Sequence, residues 1–220
     1  MSVWLNAVRY SLARYGDLFA AGFLMLVALY FGSNLFSPIR FDRERIEIEA
    51  TNEGIHVFGL YHYQNRFSLP VSFSLGLPFP VDATHLAPLN CSVSESTSEG
   101  EPINKVNVHK YHGDVVFRLW FKPSQEKWIR IDYTQPILAS NARYILLTTQ
   151  KWRRSLGTGQ YILHLEKGAA LESSNYDLQY SVHGQTVTYT FVRSNFLPSQ
   201  DWLFSWRPAA PLVASKQEPK

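Results

Sequence analysis

The chain contains almost no cysteine and no strong excess of charge. Cys91 is its one cysteine among 220 residues, so no intramolecular disulfide can form and thiolate clusters for zinc or iron and sulfur are excluded. The 21 basic and 18 acidic residues give a net charge of +3 and are mixed along the chain, which argues against a nucleic-acid partner. An apolar fraction of 45% excludes disorder for most of the chain.

The sequence also lacks the common catalytic signatures. It has no Gly-x-Ser-x-Gly motif for a serine nucleophile, no glycine-rich phosphate loop, and no spacing that brings two carboxylates together. His109, His112 and Asp114 are metal-ligand types close in sequence, but on a strand the two histidines point to opposite faces, and His112-Gly113 is typical of a hairpin turn. We therefore expect no enzyme activity, no metal site and no cofactor.

A long apolar run near the N-terminus is the clearest single feature. Residues 18–36 carry no charge, and as a helix these nineteen residues would rise about 28 Å, close to the bilayer hydrocarbon thickness of about 30 Å. The residues after the run lack the small-x-small pattern of a signal-peptide cleavage site. We therefore predict an uncleaved transmembrane helix over residues 18–36, in which Ala21, Ala28 and Gly32 lie near one face and could pack against another helix.

The flanking positive charges do not decide the orientation of this helix. Arg9, Arg14 and the free amine precede it, and Arg40, Arg43 and Arg45 follow it. A short N-terminal tail before a large C-terminal domain is typical of a signal anchor. We therefore expect a single-pass protein of the cell inner membrane, with the lipid bilayer as one partner and the C-terminal domain in the periplasm or another extracytoplasmic space.

Residues 1–17 allow two interpretations. They could form an amphipathic segment at the membrane surface, because their aromatic and aliphatic side chains share one helical face. Equally, they could be the first turns of one longer tilted helix.

Beyond Pro38 the hydrophobic period changes from that of a helix to that of a strand. In residues 45–50, RIEIEA, apolar and charged side chains alternate, and a turn at residues 52–54 separates them from IHVFGLYHYQN. Further strand-like segments separated by turn residues cover 67–76, 105–111, 115–122, 127–134, 143–150, 160–166, 177–182, 185–193 and 202–206. So many short strands predict an antiparallel β-sandwich over residues 37–206, as one domain or two in tandem.

Two segments differ in composition from the strands. Residues 91–102, CSVSESTSEGEP, are Ser-rich and acidic, which predicts a flexible linker or an exposed loop. Residues 207–220 contain proline and alanine but no helical or strand-like periodicity of apolar residues, which predicts a disordered tail.

The C-terminal part carries a family resemblance. Tyr144 to Trp152, YILLTTQKW, is followed after a glycine turn by Tyr161-Ile162-Leu163 and later by Phe196-Leu197-Pro198. This pattern resembles one in uncharacterised exported bacterial β-sandwich proteins. The resemblance implies a secreted β-rich fold and carries over no catalytic residue.

Two groups of residues could form a surface for a partner or ligand. An aromatic group lies on one face of a strand and would either anchor a partner or belong to the core. A basic group would meet anionic headgroups or an acidic partner, or form a solvated strand end. The members are Trp202, Phe204 and Trp206 in the aromatic group, and Lys151, Arg153 and Arg154 in the basic group.

The predicted anchor and the missing catalytic motifs together favour a non-catalytic role. We expect an accessory, structural or assembly subunit of a membrane protein complex, which acts on other subunits through its extracytoplasmic β-domain. The alternative is a membrane-tethered module that binds a glycan or lipid through exposed aromatics. That alternative requires exposed rings clustered in a groove, and the candidates are Trp120, Trp128, Trp152, Trp202 and Trp206.

Overall fold

The computed structural model describes residues 37–111, 113–184 and 186–209. The predicted transmembrane helix, with Ala21, Ala28 and Gly32, lies outside these residues, and so do residues 1–17 and the tail from residue 210. Within the described ranges, no helix has the length and apolar character needed to span a bilayer.

The described residues form β-strands and one short 3-10 helix. The first seven strands are β1 (Ile39–Ala50), β2 (Gly54–Asn65), β3 (Val71–Leu77), β4 (Ser92–Ser96), β5 (Pro102–Val106), β6 (Val108–Tyr111) and β7 (Asp114–Phe121). After β8 (Glu126–Pro136) and β9 (Asn141–Tyr144) comes the 3-10 helix Leu147–Trp152. The last strands are β10 (Leu156–Glu166), β11 (Ala170–Ser174), β12 (Gln179–His183), β13 (Thr186–Phe196) and β14 (Trp202–Arg207).

The strands form three sheets around one core. Eight of them make a large sheet in the order β12-β13-β10-β1-β2-β8-β4-β5, and the two small sheets are β11-β14-β9 and β3-β7-β6. Buried side chains from all three sheets belong to a single cluster, which includes Ile48 from the large sheet and Trp202 and Phe117 from the small ones. Residues 39–209 fall in one compact unit. The all-β, sandwich-like architecture predicted from the sequence is confirmed.

Strand β1 shows why this sequence folds as a sheet. Ile46 and Ile48 are fully buried, whereas Arg45 before them is exposed and Glu47 between them is half-buried, as the alternating pattern predicts. β1 pairs with β2 in the antiparallel sense but with β10 in the parallel sense, so that Ile46 lies opposite both Gly59 and Tyr161. The sandwich is therefore not wholly antiparallel, which corrects the prediction.

Residues 91–102 are neither a linker nor wholly an exposed loop, since only residues 97–101 form a turn, which joins β4 to β5. Ser92–Ser96 is strand β4, which pairs with β8, and Val93 is buried in the core. Because Val93 is the only large apolar side chain of this strand, the composition suggested a loop. The serines occupy the other positions of a short strand near the edge of the large sheet.

The predicted strand over residues 143–150 ends early. β9 stops at Tyr144, and the 3-10 helix follows. The carboxylate of Asp201 accepts hydrogen bonds from the backbone N–H groups of Leu146 and Leu147, at 2.9 and 3.0 Å. These bonds, with the ion pair between Asp201 and Arg143, turn the backbone away from the extended path.

Candidate binding cleft

An open cleft lies where the chain leaves the large sheet and enters the sheet β3-β7-β6. β5 is the outer strand of the large sheet, and β6 begins just after it as the outer strand of the small sheet. β7 pairs with β3 from Val115 to Phe121, whereas β6 pairs with β7 only as far as Val108 opposite Phe117. From Arg118 to Phe121, β7 therefore has a partner on one side only among the described strands. This free edge borders a cleft of about 750 Å³.

The lining of this cleft is positively charged. Lys105 and Arg118 are exposed, and within the described part of the chain neither forms a salt bridge. The Arg118 guanidinium Nε donates a hydrogen bond to the hydroxyl of Ser74 at 3.3 Å. Lys127 forms an ion pair with Glu95, the one carboxylate of the lining, so these two charges offset each other. Lys105 and Arg118 remain to attract an anion.

One aromatic ring is presented beside these charges. The side chain of Trp120 is 53% exposed and lines the cleft. Trp120 lies on the same face of β7 as Arg118, because side chains two residues apart on a strand share a face. Phe117 and Leu119 alternate with them and are buried. A flat ring next to a guanidinium is suited to contact with a partner, since it offers much area at little conformational cost.

The sequence alone indicates Trp120 as a candidate but not its charged neighbours Lys105 and Arg118. The signal that distinguishes it is its parity: in Val115 to Phe121, VVFRLWF, the buried residues are the odd-numbered ones, and Trp120 falls with Arg118. No local sequence pattern indicates that Lys105 lines the cleft or that the edge of β7 is free. Both depend on where the chain crosses from one sheet to the other.

The aromatic group at the C-terminus belongs to the core. Trp202, Phe204 and Trp206 are 0%, 2% and 2% exposed, and the Trp202 and Phe204 ring centroids are 4.8 Å apart. They face the interior because β14 is the middle strand of its sheet and alternates strictly between buried and solvent-facing positions. These three residues therefore cannot form a partner surface.

The remaining tryptophans are also not in one groove. Trp152 is half-buried and packs against Phe41 and Tyr63, with ring centroids 5.6 and 5.7 Å apart. Trp128 contacts the His62 ring at 4.7 Å. Of the five rings that a glycan or lipid site would have brought together, Trp120 alone lines the cleft.

The predicted basic group is exposed but separate from the cleft. Lys151 is in the last turn of the 3-10 helix, Arg153 caps that helix with a φ of 53°, and Arg154 follows it. None of the three lines the cleft described above. The group provides an independent basic surface against which the cleft can be tested.

His109 and Asp114, which the sequence offers as metal ligands near β6, do not belong to a group of three or more such ligands in the described residues. His109 is exposed on β6 and lines the cleft, Asp114 begins β7, and His112 lies outside the described residues. Within residues 37–111, 113–184 and 186–209, no three His, Cys, Asp or Glu side chains are grouped closely enough to hold a metal ion.

His62 is a buried polar link between strands. It is 2% exposed, its Nδ1 lies 2.6 Å from an Asp42 oxygen, and its Nε2 lies 3.2 Å from a Glu126 oxygen. The cluster joins β2 to β1 and β8, and it acts as structural pairing within the large sheet.

A second polar pair lies in the loop between β3 and β4. Asp82 accepts hydrogen bonds from the backbone N–H groups of Thr84 and His85 and from the His85 ring Nδ1 at 2.9 Å. These bonds hold the pKa of Asp82 well below its usual range, with the Thr84 backbone contribution the largest. The buried Nε2 of His85 has no hydrogen-bond partner among the described residues. The hydrogen bonds from Thr84 and His85 to Asp82 organise this loop.

Comparison with known proteins gives the fold and no family. No family model and no curated protein matches the chain. A solved structure of a "putative nutrient binding protein" from Legionella pneumophila is similar with a TM-score of 0.60 and 16% identity, and the match covers 77% of this chain and 67% of that one. An M1 zinc metallopeptidase from Deinococcus radiodurans matches with a TM-score of 0.47 and 10% identity, over 77% of this chain and 43% of that one. At these identities the likeness concerns the β-fold alone.

Proposed function

We propose that this chain is a single-pass, membrane-anchored accessory, structural or assembly subunit of a membrane protein complex. Its β-domain lies outside the cytoplasm and docks on another subunit of the complex through the cleft beside β7. The uncharged run over residues 18–36 supports the anchor, since its length matches the hydrocarbon thickness of a bilayer. The observation that carries the docking role is the cleft itself, where Lys105, Arg118 and Trp120 are exposed together.

The chemistry of these residues favours a protein partner. Aromatic and arginine side chains dominate the binding energy of protein interfaces, because they combine a large contact area with directed polar groups. Exposed charges of one sign steer a partner of opposite charge toward the site and raise its association rate. A domain tethered to the bilayer needs only modest affinity, since its tether already holds it near other membrane subunits.

A small anionic ligand is the second candidate. The cleft volume of about 750 Å³ falls within the usual range of ligand pockets, and the Legionella neighbour is called a "putative nutrient binding protein". Ligand pockets of this kind are lined mainly by apolar and aromatic side chains, however, whereas among the described residues Trp120 is the one exposed Phe, Tyr or Trp side chain of this lining. The lining of the cleft therefore favours the protein partner.

Site-specific photo-crosslinking of the full-length chain in its native membranes tests this proposal. A photoreactive amino acid at position 120 should give a discrete product with a second membrane protein, identified by mass spectrometry. The same amino acid in place of Tyr180, which is 74% exposed on the outer strand β12, is the matched control and should not give this product. The tagged partner should then retain the wild-type chain, but not an Arg118→Glu variant, in mild detergent. A chain that purifies as a monomer, without a product from position 120, contradicts the proposal.

A further inference from the structure

We infer that the cleft binds an extended, acidic peptide segment of the partner, which adds as a strand to the free edge of β7. The inference rests on the proposed function and names the chemistry that the partner presents at the same cleft. Three properties of the described residues lead to it, namely an unpaired sheet edge, uncompensated positive charge, and the spacing of Arg118 and Trp120.

The free edge provides the hydrogen-bonding template. β7 from Arg118 to Phe121 is paired with β3 on one side, and the pairing with β6 on the other side has ended at Phe117. An edge of this kind presents a row of backbone N–H and C=O groups, which natural proteins usually cover or use for strand addition. The edge borders the cleft, so a peptide strand can enter from solvent.

The positive charge of the lining favours a peptide with negative charge. Lys105 and Arg118 have no salt-bridge partner in the described part of the chain, and the ion pair of Lys127 with Glu95 leaves no spare carboxylate in the lining. A peptide with carboxylate side chains would compensate both cations. A basic peptide would be repelled by them.

The spacing along β7 selects the pattern of the peptide. Arg118 and Trp120 lie on the same face, two residues and roughly 7 Å apart along the strand. In an added strand, a side chain beside Arg118 and a side chain beside Trp120 are likewise two residues apart. We therefore expect an acidic and an apolar residue two positions apart in an extended segment, in the order acidic-x-apolar for a parallel strand and apolar-x-acidic for an antiparallel one.

An anionic oligosaccharide is the competing occupant, and it differs in one respect. It could also use Arg118 for its charge and Trp120 for stacking. It has no peptide backbone, however, so its binding would not depend on hydrogen bonds to the edge of β7. A peptide probe that cannot form backbone hydrogen bonds therefore distinguishes a peptide occupant from an oligosaccharide.

The experiment measures peptide affinity for the full-length chain in a non-ionic detergent. The probe is a synthetic peptide of roughly eight residues in which Glu and Val recur at the predicted spacing. One control peptide has the same side chains but N-methyl groups on alternate amides, and a second has Lys in place of Glu. The protein variants are Arg118→Glu, Arg118→Gln and Trp120→Ala, with Lys151→Glu as the matched charge change outside the cleft.

The inference requires loss of binding with each control peptide and each cleft variant. N-methylation should weaken binding roughly tenfold, because two or more backbone hydrogen bonds of modest strength are removed. Affinity should fall as salt is added, and Lys151→Glu should bind as the wild type does. Circular dichroism of the cleft variants should match the wild type, since both side chains are exposed.

Two results would overturn the inference without touching the proposed function. If the N-methylated peptide binds as tightly as the unmodified one, the edge of β7 is not used. If a polygalacturonate fragment binds Arg118 and Trp120 more tightly than the acidic peptide, the occupant is a carbohydrate. In either case the crosslink from position 120 to a membrane protein would still decide whether the cleft docks on a partner.

Discussion

The hydroxyl of Tyr161 donates a hydrogen bond to the carboxylate of Glu44 inside the domain, between the adjacent parallel strands β10 and β1. Glu44 is 6% exposed, and its burial raises the pKa to about 7, even though the bond from Tyr161 acts in the opposite direction. Nearby, the hydroxyls of Tyr61 and Tyr144 are 2.8 Å apart. The core thus contains a carboxyl group whose charge is disfavoured by its surroundings.

Replacement of Glu44 by Gln should change the pH dependence of stability. Below pH 4.5 the carboxyl is protonated in both the folded and the unfolded chain and costs nothing. As the pH rises from 4.5 to 7 the unfolded chain ionises first, so the wild type loses stability relative to Glu44→Gln, by about 3 kcal/mol in total. Urea unfolding of both proteins across this range measures the difference. Glu49→Gln, at an exposed position, is the control, and an equal pH dependence in wild type and Glu44→Gln would contradict the account.

Gly159 should be intolerant of a side chain. A Cβ atom there would lie 2.7 Å from the Tyr161 hydroxyl oxygen, because the Tyr161 ring lies flat over the glycine. Gly159→Ala should therefore destabilise the fold by about 1–3 kcal/mol through overpacking. Gly76→Ala is the matched control, since nothing lies within 4 Å of its added Cβ, and it should leave the free energy of unfolding nearly unchanged. Similar stability losses in both variants would mean that Tyr161 does not cover Gly159.

Two tryptophan variants should separate core from surface. Trp202 is fully buried, so Trp202→Ala should cost about 3–5 kcal/mol of unfolding free energy. Trp120 is 53% exposed, so Trp120→Ala should change stability by no more than about 0.5 kcal/mol. Chemical denaturation followed by circular dichroism measures both. A large loss of stability in Trp120→Ala would place that ring in the core and remove it from the cleft.

The thiol of Cys91 should react slowly in the folded protein. Partial burial raises its pKa to about 11, although nearby Lys110 opposes this shift. Since the thiolate is the nucleophile, the rate of alkylation should still be rising above pH 9, and unfolding in urea should accelerate the reaction at neutral pH. A rate in the folded protein that levels off near pH 9 would show that the thiol is not shielded.

The sequence predicts those parts of the fold that depend on local alternation. The hairpin of β1 and β2 follows from RIEIEA and its turn, and the same parity rule separates Trp120 from Phe117 and Leu119. The parallel pairing of β1 with β10 joins residues more than a hundred positions apart, as Ile46 and Tyr161 show, and no local pattern encodes it. β4 carries no clear strand pattern because Val93 is its only large apolar side chain.

The candidate site was harder to predict than the fold. Trp202 and Trp206 are candidates for a binding surface in the sequence because they are large and lie on one face of a strand. Core residues show the same spacing, and both side chains are buried. The cleft has a free edge because β6 stops pairing with β7 at Phe117, and part of its charge comes from Lys105, which lies on a different sheet. Both are consequences of topology, which no short segment of the chain contains.

Co-purification of cleft variants tests the central claim most directly. A double Lys105→Glu and Arg118→Glu variant of the full-length chain, compared with Lys151→Glu, would be purified from membranes in mild detergent with its partner subunits. The account predicts that the double variant is folded and present in the membrane but loses the partner, whereas Lys151→Glu retains it. Retention of the partner by the folded double variant would contradict docking through the cleft, whatever the result with Lys151→Glu.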